Sequence, residues 1–149
     1  MKIQSILVPT DFSDDARAAL DAAIDWATEF GATLHILHAY FVDVPAVYGG
    51  YGGDFLLPAD ILEPVREAAE TAVAELVAEA KKRGVPVEGR ATLGDASSSI
   101  LAEAERLGSD LIVMGTRGLT GLKHVILGST AERVVRKAPC AVLTVKANA

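Results

Sequence analysis

Cysteine is nearly absent from this 149-residue chain, with Cys140 the single example. No internal disulfide can form, and because Cys140 lies in an apolar strand-like run it reads as a small buried hydrophobe with no catalytic role. Long apolar runs are also missing: none approaches the roughly 18 residues that cross a bilayer. The opening MKIQSILVPTDF lacks the apolar stretch and small-residue cleavage site of a signal peptide, so a cytoplasmic location and no membrane partner are expected. Clustered positive charge is the third absence. The net charge is −6, and outside AKKR and VVRKA the basic residues are scattered, which removes the electrostatic footprint of a nucleic-acid partner. Two familiar phosphate motifs are lacking as well, because neither G-x-x-x-x-G-K-[ST] nor G-x-G-x-x-G occurs.

Apolar residues make up 50% of the chain, enough at this length for one well-buried core, so a single domain over 1–149 is expected. Short apolar runs alternate with longer runs of helical spacing, the pattern of βαβ units on a parallel sheet. The strands read as 3–9, 33–39, 86–92, 110–114 and 141–145. Near-continuous Ile, Leu and Val mark the first and fourth as central strands covered on both faces.

Ser13 can cap a first helix whose apolar face carries Ala16, Leu20, Ala23, Ile24 and Ala27, with Gly31 as its stop. A second can start at Asp60 and end at Gly84, a third runs from about Asp95 to Leu107, and a fourth from Ser129 to Ala138 ahead of Pro139. Strict alternation with right-handed crossovers predicts an α/β doubly wound, Rossmann-like sheet of five parallel strands, order 3-2-1-4-5, with helices on both faces. Residues 41–58 break the pattern, holding four of the thirteen glycines. They read as a long loop, taken as a surface insertion rather than a lid.

In such a sheet, ligands bind beyond the carboxyl ends of the strands where the order reverses. Two loops with unusual chemistry leave those ends: VPTDFS after the first strand and GTRGLTG after the fourth. Gly115 and Gly118 would let the second loop turn with positive φ and bring its amides near a ligand. Gly128 and Ser129 open the fourth helix, whose free N–H groups and dipole favour an anion, with phosphate the natural candidate. Ser129 and Glu132 form S-x-x-E, a capping box that would use the serine hydroxyl within its own helix. His35 and His38, three apart on a strand, point to opposite faces and read as packing or surface residues. Lys123 and His124 read as solvated loop side chains, and Asp11 has the simpler use of capping the first helix.

The spacing that does fit is G-x-x-G-x(9)-G-[ST], from Gly115 and Gly118 to Gly128 and Ser129. It closely resembles the ATP-binding signature of the universal stress protein family. The resemblance extends over ILVPTDFS, the LGD turn, DLIVMGTRG and the closing PCAVLTV. It implies an adenine nucleotide, ATP with Mg²⁺ or Mn²⁺, contacted by Pro9, Thr10 and Asp11, with the Asp11 carboxylate facing ribose or a phosphate-bound metal. Backbone near Ala39 would meet adenine, and Met114, Gly115, Arg117, Gly118, Gly128, Ser129 and Thr130 would hold ribose and phosphates. A departure is Gly94-Asp95-Ala96, where the family often carries a proline two residues after the glycine.

No nucleophile with a paired base stands in either motif, so the reading is a nucleotide-linked switch in a stress response without efficient turnover. The alternatives are a slow Mg-dependent ATPase or phosphate-transferring enzyme, and a non-catalytic scaffold holding AMP, a cyclic nucleotide or nothing. The last strand, AVLTV, is an apolar β-branched edge that a second copy could cover, and the resemblance also implies a homodimer through 141–145.

Overall fold

The computed structural model describes residues 1–42, 58–119, 124 and 126–148. The loop or lid expected over 41–58 falls, for 43–57, outside the described residues, as does Lys123, while His124 is exposed. In chain order the elements are β1 (Ser5–Pro9), α1 (Asp14–Phe30), β2 (Thr33–Tyr40), α2 (Ala59–Lys82), β3 (Val87–Leu93), α3 (Ala96–Leu107), β4 (Leu111–Gly115), α4 (Ser129–Lys137) and β5 (Ala141–Val145). The five strands form one sheet in the order β3-β2-β1-β4-β5, every pair parallel. The expected order and the central place of β1 and β4 hold.

Alternation along the strands feeds two cores. Ile6, Val8, Leu111 and Val113 face α1 and α2, meeting Leu20, Ile24 and Val73. Leu7, Ile112 and Met114 face the other way, meeting Ile100 of α3 and Val134 of α4. Leu7, Ile6, Ile112 and Val113 are fully buried, as strands sandwiched between helix layers must be. Truncating a side chain such as Leu7 to alanine would cost about 2–5 kcal/mol. Cys140 packs beside the second core, and burial pushes its thiol pKa up.

The helix ends follow local chemistry. Ser13 caps α1 through Ala16 N, and Gly31 closes it at φ 66°. Asp95 is the cap of α3 rather than its first residue, accepting from Ser98 N, and Gly108 ends that helix at φ 59°. The first strand starts at Ser5, later than expected, and the amides of Gln4 and Ser5 both donate to the Asp110 carboxylate, at 2.9 and 3.0 Å. Charged pairs tie α2 to α1, with Arg83 donating to Asp21 at 3.1 Å and to Asp25 at 2.9 Å. Among the described residues no helix is long and apolar enough to cross a membrane.

Candidate functional site

β1 and β4 are adjacent, and their chains leave the sheet in opposite directions, the arrangement that opens a crevice at carboxyl ends. A cavity of about 300 Å³ lies there. All eleven residues expected at the site line it: Pro9, Thr10 and Asp11 after β1, Ala39 near the end of β2, Met114 and Gly115 at the end of β4, Arg117 and Gly118 beyond it, and Gly128, Ser129 and Thr130 at the start of α4. Sequence reasoning missed the wall opposite, where Ala96 and Ile100 of α3 close the cavity. The signal was present in the LGD turn, which aims the start of α3 at the same end of the sheet. Leu37, Ile100 and Met114 give the floor an apolar character suited to a flat base.

The turn after β1 is held by its own side chains. Thr10 Oγ1 accepts from Phe12 N at 3.0 Å, Asp11 Oδ1 accepts from Ser13 N at 3.0 Å, and Ser13 Oγ accepts from Ala16 N at 3.2 Å. Asp11 thus does take the helix-ordering role with one oxygen. Its other oxygen, Oδ2, faces Gly118. The backbone pays no attention to glycine preference here: Phe12 sits at φ 64°, in the left-handed region. His38 Nδ1 donates to the Thr10 carbonyl at 2.8 Å and its ring lies 4.6 Å from that of Phe12, which pins the turn from β2. His35, on the opposite face, is 3.8 Å from Glu88, and burial lowers its pKa.

The glycines at and beyond the end of β4 work differently from the expectation. Neither Gly115 nor Gly118 has positive φ; what each provides is room. A Cβ on Gly115 would stand 2.9 Å from the Ala16 amide nitrogen and from the carbonyl carbon of Asp15, and one on Gly118 would stand 2.8 Å from Asp11 Oδ2. At Gly115 the chain lies directly on the start of α1, where only glycine permits the approach, whereas at Gly118 the neighbour is a side-chain oxygen.

The capping box is also corrected. Gly128, not Ser129, is the N-cap of α4, at φ −68° and ψ 161°, and no side chain caps the helix. The Gly128 amide donates to the Thr116 carbonyl at 2.6 Å, which draws the extended residue over the loop and leaves Ser129 already helical. Glu132 instead pairs with Arg136 one turn on. The Ser129 hydroxyl is therefore released from capping, and the first-turn amides of α4 face the cavity without a side-chain acceptor of their own.

One residue went unread. Asp15 is 4% exposed, and its carboxylate accepts from Thr116 Oγ1 at 2.8 Å, from Arg117 N and Nε at 3.1 Å, from an Arg117 terminal nitrogen at 3.2 Å and from Ala147 N at 2.9 Å. Burial alone would raise its pKa, but the bonds from Arg117, Ala147 and Thr116 outweigh that and hold the carboxyl well below the usual carboxylate range. Arg117 lines the cavity with its guanidinium turned to Asp15. The available signal was periodicity: Asp15, Ala19, Ala23 and Ala27 are spaced by four, placing an aspartate on the buried face of α1.

Comparison with known proteins returns a consistent picture. The sequence model of the universal stress protein family matches residues 2–146. A universal stress protein of Methanocaldococcus jannaschii is 38% identical over 148 residues, covering 96% of this chain and 82% of that protein. Among solved structures, a second protein of that organism superposes with a TM-score of 0.84 at 28% identity, covering 100% of this chain and 99% of the other. A universal stress protein crystallised in complex with cAMP superposes with a TM-score of 0.73 at 26% identity, covering 99% and 100%.

Proposed function

Because this chain belongs to the universal stress protein family, we propose that its cleft binds an adenine nucleotide, ATP accompanied by Mg²⁺ or Mn²⁺, and that the protein acts as a nucleotide-linked switch in a stress response. The observation that carries the reading is the meeting, in one cavity, of an apolar floor, two glycines whose lack of a side chain keeps its wall open, and the uncapped first turn of α4. A flat base suits the floor, and phosphate suits the helix terminus, where N–H groups and dipole act together. The complex of a relative with cAMP supports the same ligand class.

Within this reading each group has a role its geometry allows. The amides of Ser129 and Thr130 bind phosphate oxygens, and the Ser129 hydroxyl adds a donor because it is not used as a cap. Pro9, Thr10 and backbone near Ala39 flank the base and ribose. Asp11 is oriented through Oδ1, leaving Oδ2 for a ribose hydroxyl or a cation. Among the described residues no group of three acidic, histidine or cysteine side chains forms a cage. A single carboxylate acting beside phosphates fits Mg²⁺, which retains water and takes few protein ligands. The chemistry such a cation supplies is neutralisation of phosphate charge. Arg117 acts by fixing the loop rather than by touching phosphate.

The experiment is to extract bound nucleotide from freshly purified protein and titrate stripped protein with Mg·ATP, AMP and cAMP by calorimetry. Micromolar-range ATP binding, worth about 8 kcal/mol, is expected, and Gly118→Val should weaken it by at least about tenfold with an unchanged circular dichroism spectrum. No heat with any nucleotide would overturn the reading in favour of a scaffold. Rapid phosphate release lost in Asp11→Asn would replace the switch with an ATPase.

We further propose a homodimer through β5. The strand forms one edge of the sheet and is only partly covered, and Val135 of α4 is exposed. A second copy would cover its open edge and apolar face. Val142→Pro deletes a ladder donor and should give monomer or aggregate by light scattering; an unchanged dimer would refute pairing through this strand.

A further inference from the structure

We propose that Asp15 is a positioning residue that couples the cleft loop to the residues following β5, so that seating of 145–147 and ligand affinity rise and fall together. The inference rests on the nucleotide reading of the cleft for its binding arm only. Asp15 lies on α1, yet its carboxylate gathers donors from two segments distant in sequence: Thr116 and Arg117 in the loop, and Ala147 beyond β5. With 4% exposure, this is an interior junction in which water cannot replace a lost donor.

The connection continues on both sides. Thr116 N donates to the Val145 carbonyl at 2.9 Å, so the loop and the end of β5 are joined twice, once directly and once through Asp15. The Thr116 carbonyl in turn accepts from Gly128 N, the cap of α4. A continuous hydrogen-bonded path therefore runs from Ala147 through Asp15 and Thr116 to the helix terminus where phosphate is expected. Gly115 lies so close to the backbone of Asp15 that the loop cannot slide along α1 to relax a broken bond. A fold-stabilising ion pair alone would need only Arg117. The Ala147 amide and the Thr116 hydroxyl make the carboxylate a register point between two chain segments.

The test uses Ala147→Pro, which removes one donor to Asp15 and lies outside the residues lining the cleft. Two quantities are read: hydrogen exchange of the Arg117 amide in nucleotide-free protein, and affinity for Mg·ATP. Exchange at Arg117 should accelerate about fivefold or more and ATP affinity should fall by a similar factor, while the circular dichroism spectrum stays that of the folded protein. Asp15→Asn, which turns an NH₂ towards a donor in either orientation, should do the same more strongly. Unchanged Arg117 exchange in folded Ala147→Pro overturns the coupling. If the wild-type protein binds no nucleotide, the functional reading fails by itself and the exchange arm still decides this inference.

Discussion

The turn after β1 and the loop after β4 face each other across one cavity but are held by different means. In the first, three polar side chains within four residues, Thr10, Asp11 and Ser13, each accept an amide no more than three positions on. In the second, the side-chain contacts come from more than a hundred positions away, through Asp15, and are joined by backbone bonds of Thr116 to Val145 and Gly128. The first is rigid by local chemistry and can absorb a left-handed phenylalanine. The second holds its shape only while glycine lets it lie on α1 and a buried carboxylate holds it there. Substitutions should therefore act mildly in the turn and severely in the loop, although both line the same site.

The largest contrast is expected at Gly115. A side chain there meets backbone at 2.9 Å, which cannot rotate away. Gly115→Val should cost about 3 kcal/mol and lower the thermal midpoint by roughly 6–12 °C; a midpoint within 2 °C of wild type would show that the loop is free to shift from α1.

Next comes acid. Asp15 has a folded-state pKa below its ordinary value of 3.8, so the folded state favours the carboxylate. The resulting stabilisation is complete above the unfolded value and is lost as pH falls below it, because the unfolded chain then binds the proton first. The contribution is on the order of 2 kcal/mol. Denaturant unfolding at pH 5 and pH 3 should show a steeper loss for wild type than for Asp15→Asn, and parallel losses would remove the carboxylate from the account.

The smallest effect belongs to Phe12. Relief of left-handed strain in Phe12→Gly, worth about 1 kcal/mol, is offset by the lost ring contact with His38 and by glycine's freedom in the unfolded chain. A net change within about 0.5 kcal/mol is expected from chemical denaturation. A loss above about 2 kcal/mol would mean that the turn depends on its aromatic neighbour and that the two regions are alike after all.

The same comparison explains what was legible in advance. The strand order, the helix stops at Gly31 and Gly108, and the two loops that meet at the cleft follow from periods and spacings that reside in contiguous sequence, while the individual residues expected there come from the family resemblance. The S-x-x-E pattern misled because a capping box needs its serine extended. Here a long-range bond from Gly128 to Thr116 places the extended residue one position earlier. The positive φ expected of Gly115 and Gly118 misled because glycine has two uses, and sequence does not distinguish conformational freedom from lack of bulk.

By itself the sequence determined the alternation of elements, the doubly wound order and the two loops brought to the carboxyl ends of β1 and β4, since these depend on local propensity and on the handedness of crossovers. Only the tertiary structure decided that Asp15 is buried, that Arg117 turns to it, that the Ser129 hydroxyl is released, and that the residues after β5 reach the same carboxylate. The physical reason is that a buried charge must find its partners in three dimensions, wherever along the chain they reside.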